Sequence, residues 1–354
     1  MAKRGRLIVM IAVSIAILFL ASGLSFTANG SQNSGQNNPG GYVKYTLDLE
    51  NKTLINGNFV NKHNAMNPWG IAYDPSNGYI YVTDLGSDSV SVIDGTTVIA
   101  NITVGLQPEG IAYDSSNGYI YVADSGSCTV SVIDGTTVIA NITVGGEPTG
   151  VAYDPSNGYI YVTNVLSDTV SVINGATNTV IANITVGSCP VGVAYDPSNG
   201  YIYVTNERWD TVSVIDGATN TVIANITVGG GPWGVAYDPS NGYIYVTDSG
   251  SGTVSVIDGE TNTVIANITV GIEPMGVAYD PSNGYIYVTN FASGTVSIIS
   301  TSVSTSSTSI SSVTTSTTST STKPTPSVVP LVVVVVVVVV VLIVALLMIK
   351  YRKP

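Results

Sequence analysis

The tripeptide Pro-x-Gly returns at Pro68, Pro108, Pro148, Pro190, Pro232 and Pro274, at spacings of 40, 40, 42, 42 and 42 residues. A period of this size leaves room in each unit for a few short secondary elements and no more. A single unit of that kind cannot bury its own apolar faces, so the units must stack on one another.

The unit from Pro232 reads as four strands: Gly234 to Asp238, Tyr243 to Thr247, Thr253 to Asp258 and Val264 to Val270. Each is rich in β-branched or aromatic residues and bounded by turn chemistry. Asn241-Gly242 is expected to supply a positive-φ pair to the first hairpin. Asp258-Gly259 opens the turn between strands three and four, and Asp94, Asp134, Asn174 and Asp216 stand in the same place in other units. The second strand alternates Tyr79 and Tyr81 with Ile80 and Val82, so both of its faces are apolar or aromatic and both must be packed. The first strand keeps small Gly70 and Ala72, as crowding near a ring axis requires. Four short strands in 40 to 42 residues, packed on both faces, define a propeller blade.

The fold expected is therefore all-β, a six-bladed β-propeller over residues 42–299. The last unit ends at Ile299 without a fourth strand, and Asn51-Lys-Thr-Leu-Ile-Asn-Gly-Asn-Phe-Val60 resembles the fourth-strand segment of the other units. That N-terminal strand is expected to complete the C-terminal blade and close the ring. Tyr42 to Leu49 competes with Thr295 to Ile299 for the third-strand place, which leaves seven blades as the alternative.

The ends of the chain differ from its middle. Lys3, Arg4 and Arg6 precede an apolar run from Leu7 to Ala21 broken only by Ser14, the pattern of a secretory signal, here 1–28, followed by a polar linker, 29–41. Between Ser300 and Ser327, 22 of 28 residues are Ser or Thr, a composition that cannot bury a core. It reads as a stalk of up to about 90 Å at full stretch. The 19 residues from Leu331 to Ile349 carry no charge and, as a helix within 328–349, cross a bilayer. Lys350, Arg352 and Lys353 in the tail 350–354 place that end in the cytoplasm, and the propeller at the cell surface.

All 23 acidic residues lie between Tyr42 and Tyr285, where Lys44, Lys52, Lys62 and Arg208 are the only bases, a net charge of −19. Such a surface repels nucleic acid phosphates. His63 is the sole histidine and precedes the first unit, which removes a His-based metal cage or triad. No Gly-rich phosphate loop is present. No cofactor is expected, although carboxylate oxygens leave calcium open. Asp74, Asp114, Asp154, Asp196, Asp238 and Asp280 precede turns and read as turn formers rather than as ligands. Cys128 and Cys189 are the two cysteines, and a disulfide between them and a pair of free thiols are both compatible with the sequence.

The segments Ala-Tyr-Asp-Pro-Ser-Asn-Gly-Tyr-Ile-Tyr-Val-Thr-Asn at 152–164, 194–206 and 278–290 resemble the YVTN β-propeller repeat of archaeal and bacterial surface proteins, including archaeal surface-layer proteins. The resemblance covers about 230 residues and implies a surface propeller. Pro-x-Gly-Val-Ala-Tyr-Asp is also similar to NHL-type blades. Because propellers host enzymes, scaffolds and adhesins alike, neither resemblance defines an activity.

Differences between units concentrate around Pro-x-Gly and in the loop from strand two to strand three, which share one end of an up-and-down blade. A binding face is expected there, with Trp69, Trp209, Trp233, Met275 and Phe291 as anchors and Glu109, Glu147, Glu207 and Glu273 as the polar surround. All three tryptophans of the chain fall in these variable positions. Asn-Ile-Thr at Asn101, Asn141, Asn183, Asn225 and Asn267, together with Asn51, heads acceptor patterns for N-glycosylation. The leading expectation is a non-enzymatic, membrane-anchored glycoprotein of the cell surface whose partner is an envelope protein or glycan. A carbohydrate- or peptide-binding receptor is the second reading, and a calcium-dependent, lactonase-like hydrolase the third.

Overall fold

The computed structural model describes residues 67–301 in full and the backbone of two short strands, Tyr45–Asp48 and Thr53–Asn56. The expected signal, linker, membrane helix and tail, the stalk beyond Thr301, and Asn51 lie outside the described residues; Ser300, expected to open the stalk, ends the last strand of the propeller instead, and Thr301 donates to the Gly284 carbonyl at 2.6 Å. Among the described residues no helix is long and apolar enough to cross a membrane.

Six antiparallel meanders follow one another, each starting at a Pro-x-Gly proline: blade 1 (Pro68–Thr103), blade 2 (Pro108–Thr143), blade 3 (Pro148–Thr185), blade 4 (Pro190–Thr227), blade 5 (Pro232–Thr269) and blade 6 (Pro274–Ser300). Blades 1 to 5 have four strands and blade 6 has three. The first strand of each blade packs on the first strand of the next, from blade 1 through blade 6, which is the arrangement of a six-bladed β-propeller.

The alternation read from sequence carries this packing. One face of blade 3 brings Tyr161, Val170, Val172 and Ile184 against Ile202, Val204 and Ile215 of blade 4, all buried. The same residue types repeat at each junction from blades 1 and 2 to blades 5 and 6. Each such side chain, fully buried, contributes about 1.5–3 kcal/mol, so the interior lies between blades rather than within one.

Polar contacts set how closely the blades approach. Thr205 Oγ1 accepts the Gly192 N–H at 2.8 Å and donates to the Trp233 carbonyl of the next blade at 2.7 Å. Thr83, Thr163 and Thr247 make the same clip to the carbonyls of Glu109, Val191 and Met275. Blade 2 has Ala123 there, fully buried and without a hydroxyl. Replacing it (Ala123→Thr) is expected to restore the clip and stabilise the protein by about 1 kcal/mol, read as a higher midpoint in urea. An unchanged or lower midpoint counts against an energetic role for the clip.

The first hairpin corrects an expectation. In blade 5 Gly242 has φ 76°, but Asn241 is not left-handed, and the turn closes through Gly242 N–H to the Asp238 carbonyl at 2.9 Å. Asp238 Oδ1 accepts both the N–H and the hydroxyl of Ser240, so the aspartate side chain organises a longer turn and only one residue needs φ > 0. The strand-one aspartates are turn formers, as their position before the turn implies, and are buried as well.

The closing strand is a second correction. Thr53–Asn56 pairs with Tyr45–Asp48 in a hairpin and not with blade 6, where Thr295–Ser300 holds the third place. Its ladder is satisfied locally, and the hairpin lies against the outer strand of blade 1 as each outer strand lies against the next. Among the described residues, blade 6 therefore keeps an uncovered face: Val296 is 40% and Ile298 60% exposed, whereas their counterparts Val212 and Val214 are at 0%.

Candidate binding face

The loop into strand one and the loop from strand two to three are held together in every blade. The first residue of the second loop donates its N–H to the carbonyl of the residue before Pro-x-Gly, as Glu207 does to Cys189 at 3.0 Å and Phe291 to Glu273 at 2.8 Å. The two variable segments thus form one end of the propeller, as the up-and-down reading requires.

The residue before Pro-x-Gly is left-handed in all six blades. Asn67, Gln107, Glu147, Cys189, Gly231 and Glu273 have φ between 45° and 64°. Glycine takes this conformation freely, and blade 5 uses it. A side chain at the same place costs about 1 kcal/mol or more, yet five blades carry one. Sequence comparison placed Glu147 and Glu273 of this position in the polar surround but did not mark its conformation, because a backbone angle is invisible in a list of residue types.

The expected anchors all sit at this end. Trp209 projects from the second loop of blade 4 and is 63% exposed. Trp69, Trp233, Met275 and Phe291 are half-buried. The backbone of Trp233 and Met275 is pinned by the threonine clips, which holds the side chains in place. Glu147 is exposed, while Glu207 and Glu273 are half-buried. Glu109 turns inward: Ser125 donates to its Oε1 at 3.0 Å, and burial pushes its carboxyl above the usual range. Glu109 belongs to the support of the face more than to its rim.

Cys128 and Cys189 are free thiols in loops of different blades, so the two-thiol alternative describes this structure. Cys189 Sγ donates to Glu207 Oε2 at 3.1 Å, and burial, then the adjacent carboxylate, pushes the thiol up to about 12. A thiol held protonated is a poor nucleophile for disulfide formation. Among the described residues no three His, Cys, Asp or Glu side chains converge as a metal site needs.

The repeated Asn101, Asn141, Asn183, Asn225 and Asn267 are exposed on the outer strands. Each outer strand carries a bulge where its register shifts against strand three, which blunts the free edge.

In sequence, the NHL repeat family matches residues 106–133 and 230–257, running from the entry loop to the third strand of blades 2 and 5. No curated protein matches the chain. Among solved structures, a streptogramin B lyase is similar over 69% of this chain and 82% of its own, at 15% identity and a TM-score of 0.57. A functionally unknown protein from Desulfotomaculum acetoxidans is similar over 62% and 78%, at 16% identity and a TM-score of 0.55. At such identity the likeness is one of fold. The chain is a β-propeller repeat protein with NHL-like blades.

Proposed function

We propose that this propeller is a binding module of the cell surface, of the YVTN surface-layer kind, exported by its N-terminal segment and anchored by the apolar run 331–349. Its role is recognition of an envelope protein or glycan rather than catalysis. The observation that carries the reading is the left-handed position before Pro-x-Gly, where five blades keep a side chain at a cost that Gly231 shows to be avoidable. Variation concentrated at that end, over strands that repeat almost unchanged, supports it as the place where a partner is met.

Aromatic residues dominate binding energy at such faces. Trp209 is the most exposed of the three tryptophans, with Trp69 and Trp233 half-buried at the same end of blades 1 and 5. A Trp69→Ala/Trp233→Ala double variant of the full chain is expected to lose at least tenfold in affinity for purified envelope fractions, and Trp209→Ala a further part. Wild-type binding by both variants, with folding intact by circular dichroism, removes the face from the proposal. Glycan at Asn101, Asn141, Asn183, Asn225 and Asn267 belongs to the same reading, since their exposure on the rim leaves room for it, and mass spectrometry of the native protein reads their occupancy.

A further inference from the structure

Every second strand ends in a buried polar residue: Asp84, Asp124, Asn164, Asn206, Asp248 and Asn290. Each faces a serine of strand three, and in blades 1 to 5 that serine faces the rim asparagine of strand four. Three blades use aspartate and three asparagine in one geometry, which makes the chain its own control.

In blade 3 the amide hydrogens of Asn164 and the hydroxyl hydrogen of Ser171 all have acceptors. Asn164 Nδ2 donates to Ser171 Oγ at 3.0 Å and to Thr169 Oγ1 at 3.1 Å, and Ser171 donates to Asn183 Oδ1 at 2.8 Å. Blade 4 repeats this with Asn206, Ser213 and Asn225. In blade 2 the hydroxyl of Ser131 stands 2.7 Å from Asp124 Oδ2 and 3.0 Å from Asn141 Oδ1. In blade 5 Ser255 stands 2.8 Å from Asp248 Oδ2 and 2.9 Å from Asn267 Oδ1. Blade 1 places Ser91 between Asp84 Oδ2 at 2.6 Å and Asn101 Oδ1 at 3.4 Å.

A serine hydroxyl has one hydrogen. Between an ionised aspartate and an amide oxygen it can serve only one of them. The second oxygen of each of these aspartates also lacks a partner, a far greater cost for a charge than for an amide. A proton on the aspartate removes both difficulties, because Oδ2–H then donates to serine as Nδ2 does in blades 3 and 4.

We propose that Asp84, Asp124 and Asp248 are proton-binding sites: each takes up one proton in the folded chain, donates it to Ser91, Ser131 or Ser255, and so holds the rim carboxamides of Asn101, Asn141 and Asn267 by their oxygen. Loss of the proton reverses the relay, turning serine toward the carboxylate and releasing the rim amide to turn over. The site does not depend on the binding-face reading.

The surroundings agree. Burial pushes Asp84 up to about 7 and Asp124 up to about 6, and raises Asp248. The groups facing them are Ser91; Ser131, Thr129 and the Gly105 N–H; and Ser255, Thr253 and the Gly229 N–H. None is charged or titrates. A folded pKa raised above the unfolded one means that the stabilisation is complete below about pH 4 and is lost as pH rises through 6 and then 7.

The test is equilibrium unfolding of the full chain in detergent between pH 4 and pH 8. The wild-type unfolding constant is expected to rise with pH, by about 10³-fold from Asp84 and about 10²-fold from Asp124. Asp84→Asn/Asp124→Asn/Asp248→Asn is expected to abolish most of that rise and to unfold less readily than wild type at pH 8. Infrared spectra should show a protonated carboxyl stretch in folded wild type at pH 5 that the triple variant lacks. A triple variant less stable than wild type at pH 8, an unchanged pH slope, or no difference in the protonated carboxyl band overturns the proposal. Should the triple variant not fold, Asp124→Asn alone decides it, since its threonine and serine match those around Asn164 and Asn206.

Discussion

Gly192→Ala is expected to destabilise the protein by about 3–4 kcal/mol, enough to unfold a large share of molecules with an ordinary margin of about 5–15 kcal/mol once mild denaturant is present. An alanine Cβ there stands 2.3 Å from the Trp233 carbonyl oxygen and 3.0 Å from Thr205 Oγ1. The first of these is backbone of the next blade, which cannot step aside without moving the blade. Blade 5 must retreat or blade 4 must twist, and either movement breaks the Thr205 clip and loosens the apolar junction beside it. Both neighbours of a repeat unit depend on its two faces, so a wedge in mid-array weakens more than one junction.

Gly200→Ala is the control. That glycine has φ 78° with nothing within 4 Å of an added Cβ, so its cost is the backbone term alone, about 1–2 kcal/mol. Urea midpoints of the two variants should differ clearly. Equal midpoints mean that blades 4 and 5 are not in the close contact described.

The second large effect is a contrast between equivalent residues. Val214→Ala in blade 4 should cost about 2–3 kcal/mol, because its side chain is at 0% exposure against blade 5 and its removal leaves a cavity. Ile298→Ala in blade 6, at the same place in the repeat, should cost under about 0.5 kcal/mol, because Ile298 is 60% exposed. A covered isoleucine should lose more than a covered valine, so the order of the two effects is decisive. If Ile298→Ala proves as costly as Val214→Ala, the outer face of blade 6 is buried and the description of that blade's uncovered face fails.

These two experiments mark the division between what residue types reveal and what they do not. The alternation of Ile202, Tyr203 and Val204 made the two packed faces of a strand legible, since a period of two admits only one pleat. The Pro-x-Gly spacing made the blades countable, and comparison among repeats within the chain located the variable end. Asp196 and its equivalents were readable as turn formers because each stands just before a turn. The left-handed angle at Gln107, Glu147, Cys189 and Glu273 was not legible, because it follows from two loops bonded across space. Nor was the difference between Asp248, buried beside Ser255, and Asp258, half-buried at the turn one strand later. Asp258 read as a turn opener because Gly259 follows it, whereas nothing beside Asp248 in the sequence marked it as buried.

The amino-acid sequence by itself determined the strands, the blade, the number of complete units and the end of the propeller where they differ, since all of these follow from local periodicity and turn chemistry. Only the tertiary structure decided which chemically equivalent residues are covered, where the N-terminal strand finds its partner, and which carboxyl groups meet a serine rather than water. Burial is a relation between segments far apart in the chain, and a repeated sequence presents the same residues at every junction whether or not a neighbour is there to meet them.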